Sequence, residues 1–217
     1  MEVKDRIRGK AEELFKRFGI RTITMDEIAN QLGVSKKTIY QYYADKDALV
    51  DAVIEEEIAR SEEDCMKGFH EARNAIDEIF IVLEQVERTF SDINPTVFYD
   101  LERFHFSAFQ RFKVFKEQFL LNMISSNLRR GIAEELYRPE LEVDIISRYR
   151  MGFCMGMVFD QELFPISKYN IAKLQKEILE HFLYGVVSMK GYKLILKYKS
   201  ERTKKSTHNE PTYEAKP

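Results

Sequence analysis

Polar side chains between residues 24 and 46 have the types and spacing to contact a nucleic acid. Lysine can reach O6 and N7 of guanine, glutamine can pair with adenine, and a threonine methyl can meet the methyl group of thymine. Serine, threonine and tyrosine hydroxyls, like the amides of a helix start, suit phosphate oxygens and fix the register on a duplex. The candidates are Thr24, Ser35, Lys36, Lys37, Thr38, Tyr40, Gln41, Tyr42 and Lys46.

Two short helices that cross closely must present these groups. Ala29 is small enough for a close crossing, Gly33 can take the left-handed conformation that ends a helix, and Ile39 supplies a facing apolar side chain. Thr24 stands three residues before a glutamate, as in a capping box, and Ser35 stands directly before the second helix as an N-cap. These residues could cap and pack helices in any protein, but their joint spacing predicts a helix-turn-helix, whose second helix enters the major groove of DNA.

Residues 11–53 resemble the N-terminal domain of the tetracycline-repressor (TetR) family of bacterial regulators. They contain AEELFKRFGIRTITMDEIA and then GVSKKTIYQYYADKDALV. The resemblance implies that Lys46 contacts a phosphate and that Tyr43 lies in the core, although a solvated Lys46 balanced by neighbouring aspartates is the alternative. Lys37 stands where many relatives carry glycine and can grip a phosphate instead of approaching the bases. The resemblance also implies that the following residues line the DNA: Lys36, Lys37, Thr38, Tyr40, Gln41 and Tyr42.

Composition limits the possible functions. The 217 residues allow one or two domains, and a net charge of -2 argues against a non-specific coat on nucleic acid. Residues 1–50 hold ten Lys+Arg against eight Asp+Glu, so the basic surplus lies with the motif. Cys65 and Cys154 are far apart and no signal peptide precedes Lys4, which predicts a reducing cytoplasm. The uncharged apolar run at residues 151–159 is too short to span a membrane.

The apolar periodicity predicts an all-α fold in two domains. We expect a three-helix helix-turn-helix domain at residues 1–50, joined by a helix to a helical effector-binding and dimerisation domain at 51–199, with a disordered tail at 200–217. The first helix should run from Val3 to Phe18, and the fourth from about Asp45 past Cys65. Between residues 72 and 189 we expect four to six helices, with breaks near Asn94-Pro95, Gly131, Arg138-Pro139 and Phe164-Pro165.

Two long helices, at about residues 141–163 and 168–189, have apolar stripes suited to pairing with a second copy of the chain. A homodimer places two recognition helices on a palindrome whose half-sites are about one helical turn apart or a multiple of it. The two glycines in the first stripe would let helices approach closely, or would make room for a ligand or for phenylalanine side chains. The expected interface residues are Ile145, Gly152, Gly156, Ile171, Leu174, Ile178, Phe182 and Val186.

Residues 97–123 are unusually aromatic. Aromatic side chains at helical spacing fill a core in most proteins, but here they point in too many directions for one core. The other interpretation is an apolar cavity for a small effector, which the TetR resemblance also implies. The candidate ligand-binding residues are Phe98, Phe106, Phe109, Met123, Tyr149 and Met155.

Catalysis fits the sequence poorly. The four histidines are scattered, and no nucleophilic triad, phosphate-binding loop or zinc spacing occurs. Glu102-x-x-His105 has the spacing of half a di-iron site, but no second pair accompanies it. We therefore expect no catalytic residue, no metal and no cofactor.

The sequence as a whole predicts a cytoplasmic, homodimeric transcriptional repressor that binds double-stranded DNA. A small apolar or aromatic effector would release it from a palindromic operator. The alternative is a dimeric DNA-binding regulator without a small effector, controlled by a protein partner or by its own abundance. An enzyme that carries a vestigial helix-turn-helix is a remote third.

Overall fold

The computed structural model describes residues 2–91, 93–155, 160, 162–165 and 167–208. Its regular structure is helical, as expected, with a π-helical segment, Phe115–Leu120, between α7 and α8. The helices are α1 Val3–Phe18, α2 Met25–Leu32, α3 Lys36–Tyr42, α4 Lys46–Glu71, α5 Ala75–Phe90, α6 Thr96–Phe104, α7 Phe106–Val114, α8 Leu121–Ala133, α9 Val143–Met155, α10 Ile171–Val186 and α11 Met189–His208.

The first three helices enclose a small core that confirms the predicted motif. Ala29 of α2 and Ile39 of α3 are buried against each other's helices and α1. Gly33 has φ 68° and ψ 31°, which is the left-handed conformation that ends α2. The hydroxyl of Thr24 accepts the Glu27 amide at 3.2 Å, and Ser35 caps α3 in the same way. The helix crossing is therefore built as the sequence indicates.

The larger domain contacts the small one through helices α4, α6 and α7. The long helix α4 begins on the small core, where Leu49 and Val53 are buried, and runs on into the second domain. Helix α6 also docks there: the Arg21 amide donates to Asp100 Oδ2 at 2.9 Å, and Leu101 is buried in the same core. The sequence predicted the α4 joint but gave no sign of the α6 contact.

A second core lies between α5, α8, α10 and α11, with Tyr137 fully buried at its centre. The break predicted near Gly131 falls two residues before the end of α8 at Ala133, so the glycine itself lies in the last turn of the helix. A Cβ at Gly131 would lie 2.0 Å from Cδ2 of Tyr137, so the glycine makes room for the ring. The Tyr137 hydroxyl lies 3.1 Å from Asn127 Oδ1 and 3.2 Å from the Ala75 carbonyl oxygen, which explains why the phenol is tolerated there.

The last helix extends further than predicted. We expected a disordered tail from residue 200, but α11 continues to His208. Ile195 and Tyr198 are buried in the second core, and the guanidinium of Arg202 pairs with Glu84 and lies 4.9 Å from the centre of the Phe80 ring. These contacts anchor the helix where the polar composition alone indicated none.

Replacing Gly131 tests the packing under α8. Gly131→Ala forces the Tyr137 ring to move and should lower the free energy of unfolding by about 1 to 3 kcal/mol, as overpacking does. Gly9→Ala is the matched control, because nothing lies within 4 Å of a Cβ at that exposed position in α1. The control should raise stability by about 0.5 to 1 kcal/mol, since alanine favours a helix over glycine. Urea unfolding of both variants makes the comparison, and equal behaviour would contradict the packing.

Candidate DNA interface and ligand cavity

Helix α3 offers a polar and aromatic face to solvent. Thr38 is half-buried, and its amide donates to Ser35 Oγ at 3.1 Å, so the Ser35 hydroxyl already caps the helix. The Ser35 and Thr38 hydroxyl oxygens lie 2.8 Å apart. The side chains of α3 that are exposed are those of Lys36, Lys37, Tyr40, Gln41 and Tyr42.

The two lysines of α3 differ in their electrostatic surroundings. Lys36 Nζ donates to Asp26 Oδ2 at 2.6 Å, and this hydrogen bond raises the pKa of Lys36. Within the part of the chain that the structure describes, Lys37 has no carboxylate at ion-pair distance. Lys37 can therefore bind a phosphate without losing an ion pair. Lys36 would first have to break its hydrogen bond with Asp26 in order to bind DNA.

Lys46 is the first residue of α4 and lies against the loop that precedes α2. Its Nζ is 3.4 Å from the Arg21 carbonyl oxygen, and burial lowers its pKa, against the attraction of Asp100 and Asp47. Asp45 accepts the Ala48 amide at 2.8 Å as the cap of α4. Lys46 is therefore a half-buried group with a backbone partner and not a freely solvated lysine.

His105 takes part in the docking of α6. Its Nδ1 lies 2.6 Å from Asp47 Oδ1 in the first turn of α4, while Glu102 is exposed. Among the residues that the structure describes, no three His, Cys, Asp or Glu side chains stand close enough together to hold a metal ion. The Glu102-x-x-His105 pair is explained by this contact between helices.

Four charged side chains join α1 to α4. Arg60 of α4 donates two hydrogen bonds to Glu12 of α1, at 3.0 and 3.1 Å, and Lys16 lies 2.8 Å from both Glu12 and Glu57. Burial disfavours the charged form of Glu12, but the hydrogen bonds from Arg60 and Lys16 outweigh it and lower the pKa of Glu12 to about 2. Burial dominates at Glu57 and raises its pKa. We call these four residues the α1–α4 charge cluster.

An apolar cavity of about 280 Å³ runs through the larger domain beside α4. Its wall includes a row of phenylalanine rings: Phe98 lies 6.4 Å from Phe90 and 5.9 Å from Phe112, and Phe112 lies 6.4 Å from Phe115, between ring centres. One end of the cavity touches the small domain, where Glu12, Phe15 and Lys16 of α1 line it together with Ile20 in the turn after α1. The cavity therefore has direct contact with the domain that carries α3.

The other end of the cavity is polar and buried. The side chains that line it there are Glu78, Asn127, Arg150 and Gln175. Burial raises the pKa of Glu78, against a hydrogen bond with Asn127 and the charges of Arg130 and Arg150. The Arg150 guanidinium lies 5.3 Å from the centre of the Phe182 ring. Cys65 also lines the cavity, and burial raises the pKa of its thiol to about 11, which leaves it protonated at neutral pH.

Comparison with known proteins identifies the family. The sequence profile described as "Bacterial regulatory proteins, tetR family" matches residues 7–53. The HTH-type transcriptional regulator YvaF of Bacillus subtilis (strain 168) is 31% identical over 188 residues, which cover 84% of this chain and 95% of YvaF. The chain belongs to the tetR family of bacterial regulatory proteins.

Solved structures show the same fold. The transcriptional regulator FadR of Bacillus subtilis in complex with stearoyl-CoA is 18% identical, with a TM-score of 0.64 over 83% of this chain and 98% of FadR. A transcriptional regulator from Saccharomonospora viridis in complex with choline is 14% identical, with a TM-score of 0.67 over 85% of this chain and 97% of that one. None of the helices in the described part of this tetR-family chain is long and apolar enough to cross a membrane.

The structure brings together only some of the predicted ligand-binding residues. Phe98 and Met123 line the cavity. Phe106 does not, since its side chain is 74% exposed, and Phe109 packs against the core of the small domain. Tyr149 borders a separate groove between α9 and α10, and the Met155 side chain lies outside the described residues. Helical spacing placed all the aromatics in one region but could not assign each to a face.

The predicted dimer stripe on α10 needs the same correction. Ile171, Phe182 and Val186 are buried within the protomer, because this face of α10 packs on α5, and Leu174 and Ile178 are half-buried at its edge. These buried side chains cannot form a shared surface. On α9, Ile145 is 64% exposed and Gly152 is open to solvent, while Gly156 lies outside the described residues.

Sequence reasoning missed the contributions of α1 and of Arg150 to the cavity. An arginine within an apolar helix segment is a signal that could have been followed, since such a residue is seldom buried without a reason. Phe112 and Phe115 belong to the aromatic run already noted, but nothing local separates them from Phe106. The involvement of α1 depends on tertiary packing alone.

Substitutions on α3 should separate positioning from base recognition. Tyr40→Ala should weaken binding to all duplexes alike, and Lys37→Ala should also reduce the salt slope by about one, because a phosphate contact is lost. Gln41→Ala should instead relax preference at particular base pairs by about 1 to 3 kcal/mol. Binding measured at several salt concentrations on a randomised duplex library tests this, and a uniform loss from all three variants would contradict the division.

Glu12→Gln tests the α1–α4 charge cluster. It should destabilise the protein by about 1 to 2 kcal/mol at pH 7, between the values for exposed and for buried pairs. Because the pKa of Glu12 is lowered in the folded state, its contribution is present above pH 4.5 and fades as the pH falls toward 2. Glu13→Gln is the matched control, since Glu13 pairs with Lys10 on the surface of α1. Chemical unfolding from pH 3 to 7 should show the two variants converging in acid.

Proposed function

We propose that this tetR-family regulator is a homodimeric repressor whose DNA binding is relieved by a small molecule in the cavity. One observation carries the proposal: residues of α1, in the DNA-binding domain, form part of the cavity wall. A ligand in the cavity could act directly on the DNA-binding domain, because it would contact α1, the helix on which α2 and α3 pack. A role on DNA also implies that the protein works in the cytoplasm, beside the chromosome.

Helix α6 supplies a second mechanical link. Phe98 and Leu101 face the cavity, whereas Asp100, on the same helix, accepts the Arg21 amide of the DNA-binding domain. An occupant that displaces α6 must stretch that hydrogen bond or carry the small domain with it. A ligand that binds the displaced arrangement more tightly shifts the population away from the DNA-binding state.

The dimer is proposed to form through the free faces of α9 and α10. Ile145 and Tyr149 of α9 are exposed, and a groove between the helices is lined by Phe153, Ile178 and His181. Two helices from each copy would then form a four-helix contact about a two-fold axis. A tilt of each small domain about this contact changes the spacing of the two α3 helices relative to the half-sites.

Neighbouring folds support the use of the cavity. FadR of Bacillus subtilis was solved with stearoyl-CoA and the Saccharomonospora viridis regulator with choline, so this fold accepts ligands of different chemistry. The phenylalanine row favours an apolar ligand body here. The DNA-contacting set remains the proposed one: Thr24, Ser35, Lys36, Lys37, Thr38, Tyr40, Gln41, Tyr42 and Lys46.

Genomic footprinting followed by ligand screening tests the function. We expect footprints on palindromic sites, and we expect compounds that raise the melting temperature of the purified protein also to release it from a footprinted duplex. A library that never stabilises the protein, or ligands that bind without releasing DNA, would favour the regulator without a small effector. Absence of any footprint would contradict the DNA-binding role itself.

Asp100→Asn tests the link through α6. An amide accepts the Arg21 hydrogen bond less strongly than a carboxylate, so ligand binding should persist while the concentration needed for DNA release rises severalfold. Asp144→Asn is the control, because Asp144 is exposed on α9 and pairs with Arg148. Titration of a fluorescent operator complex with ligand measures release, and identical curves for both variants would exclude α6 from the coupling.

A further inference from the structure

We propose that the cavity selects an amphipathic carboxylate: an elongated apolar molecule whose single anionic head binds Arg150 at the buried end. This inference rests on the proposed role of the cavity as a ligand site and names the chemical class that the site takes. It depends on three features of the structure, namely the state of Arg150, the burial of the polar end and the shape of the apolar part.

Arg150 is a buried cation without a countercharge in contact. The residue is 7% exposed, and within the described part of the chain no carboxylate oxygen lies within ion-pair distance of its guanidinium. Its guanidinium lies over the Phe182 ring, which attracts a cation but accepts no hydrogen bond in the guanidinium plane. Burying a charge is costly unless it is paired, so the site gains most from an occupant that brings a negative charge.

Glu78 does not fill that role, although it lines the same end of the cavity. Its carboxylate lies 3.5 Å from Arg130 and also has a hydrogen bond with Asn127. Arg130 in turn lies 2.8 Å from Glu134. Arg130 thus contacts both carboxylates, whereas Arg150 attracts Glu78 without an ion-pair contact. The guanidinium donors of Arg150 can therefore bind an anionic head in the cavity.

The side chains at the polar end are buried, which favours a compact head group. Glu78, Asn127, Arg150 and Gln175 are all buried, and Asn127 lies against Tyr137 of the second core. A carboxylate can accept two parallel hydrogen bonds from a guanidinium in such a setting. We expect a nucleotide-sized head group to fit this buried end poorly.

The rest of the cavity suits an elongated apolar body. Its lining follows α4 from Val50 to Phe69, a distance of roughly 28 Å at 1.5 Å per residue. Along this length the wall is formed mainly by aliphatic side chains and by the row from Phe90 to Phe115. An alkyl chain extended from Arg150 would point toward α1 and the α1–α4 charge cluster.

Calorimetric titration of the full-length protein with four probes tests the class. The probes are dodecanoate, 1-dodecanol, dodecyltrimethylammonium and dodecanoyl-CoA, each below its micelle concentration. Dodecanoate should bind about 10- to 100-fold more tightly than 1-dodecanol, since a hydrogen-bonded charge pair is gained. Dodecanoyl-CoA should bind more weakly than dodecanoate, because its head should fit the buried end poorly.

Two variants assign the preference to Arg150. Arg150→Met keeps an apolar side chain of similar length and should abolish the preference for dodecanoate over 1-dodecanol, whereas Arg150→Lys keeps the charge and should retain most of it. Arg148→Met is the matched control on α9, since Arg148 is exposed and pairs with Asp144. The preference is a ratio within each variant, so a modest loss of stability in one variant does not imitate the result.

Each contrary outcome has a definite meaning. Equal binding of dodecanoate and 1-dodecanol to the unaltered protein, or an unchanged preference in Arg150→Met, overturns the proposal. Tighter binding of dodecyltrimethylammonium overturns it in favour of a cationic ligand on Glu78. Dodecanoate that binds through Arg150 but leaves the operator complex intact supports the ligand class and contradicts the proposed release of DNA, so the two inferences can fail separately.

Discussion

The packing of α6 and α7 into the core of the small domain is the contact on which the rest of the structure depends. Val97, Leu101 and Ala108 are buried in the same cluster as Ile7 and Leu49. The helix-turn-helix domain is therefore completed by side chains that come from the larger domain. A helix-turn-helix alone buries little apolar surface, and small domains are marginal for that reason. The shared packing stabilises the helix-turn-helix domain. It also couples the orientation of this domain to the position of α6 and hence to the cavity that α6 lines.

The cavity lies directly behind that shared packing. Its two ends are chemically different: at the α1 end, Glu12 and Glu57 are in ion-pair contact with Lys16 and Arg60, whereas at the α9 end the lining includes Arg150, which has no ion-pair contact within the described residues. Contacting ion pairs hold two helices in one arrangement but attract no particular ligand. A buried guanidinium without such a contact gains from a hydrogen-bonded opposite charge. The proposed site for the ligand head therefore lies at the opposite end from the charges that join the two domains.

Local sequence patterns predicted the small domain well because its structure depends on short-range rules. The caps at Thr24 and Ser35, the left-handed Gly33 and the small Ala29 each follow from a few neighbouring residues, and α1 has the predicted bounds. Gly131 shows what such rules leave out. Read locally, this glycine predicts a helix end, and α8 does end two residues later, but the glycine also accommodates a tyrosine that follows in the chain. No short-range rule contains that information.

The correction on α10 has a different physical origin. Both faces of this helix carry apolar side chains, so periodicity identifies a helix without telling which face packs inside the protomer. The face with Phe182 and Val186 packs on α5, and the face with Ile178 and Tyr184 is left toward solvent. Arg150 borders both the cavity and the groove on this outer side. Arg150 therefore connects the cavity with the proposed dimer contact, so the proposed head group, by reorienting Arg150, would act on the surface through which we propose that two copies pair.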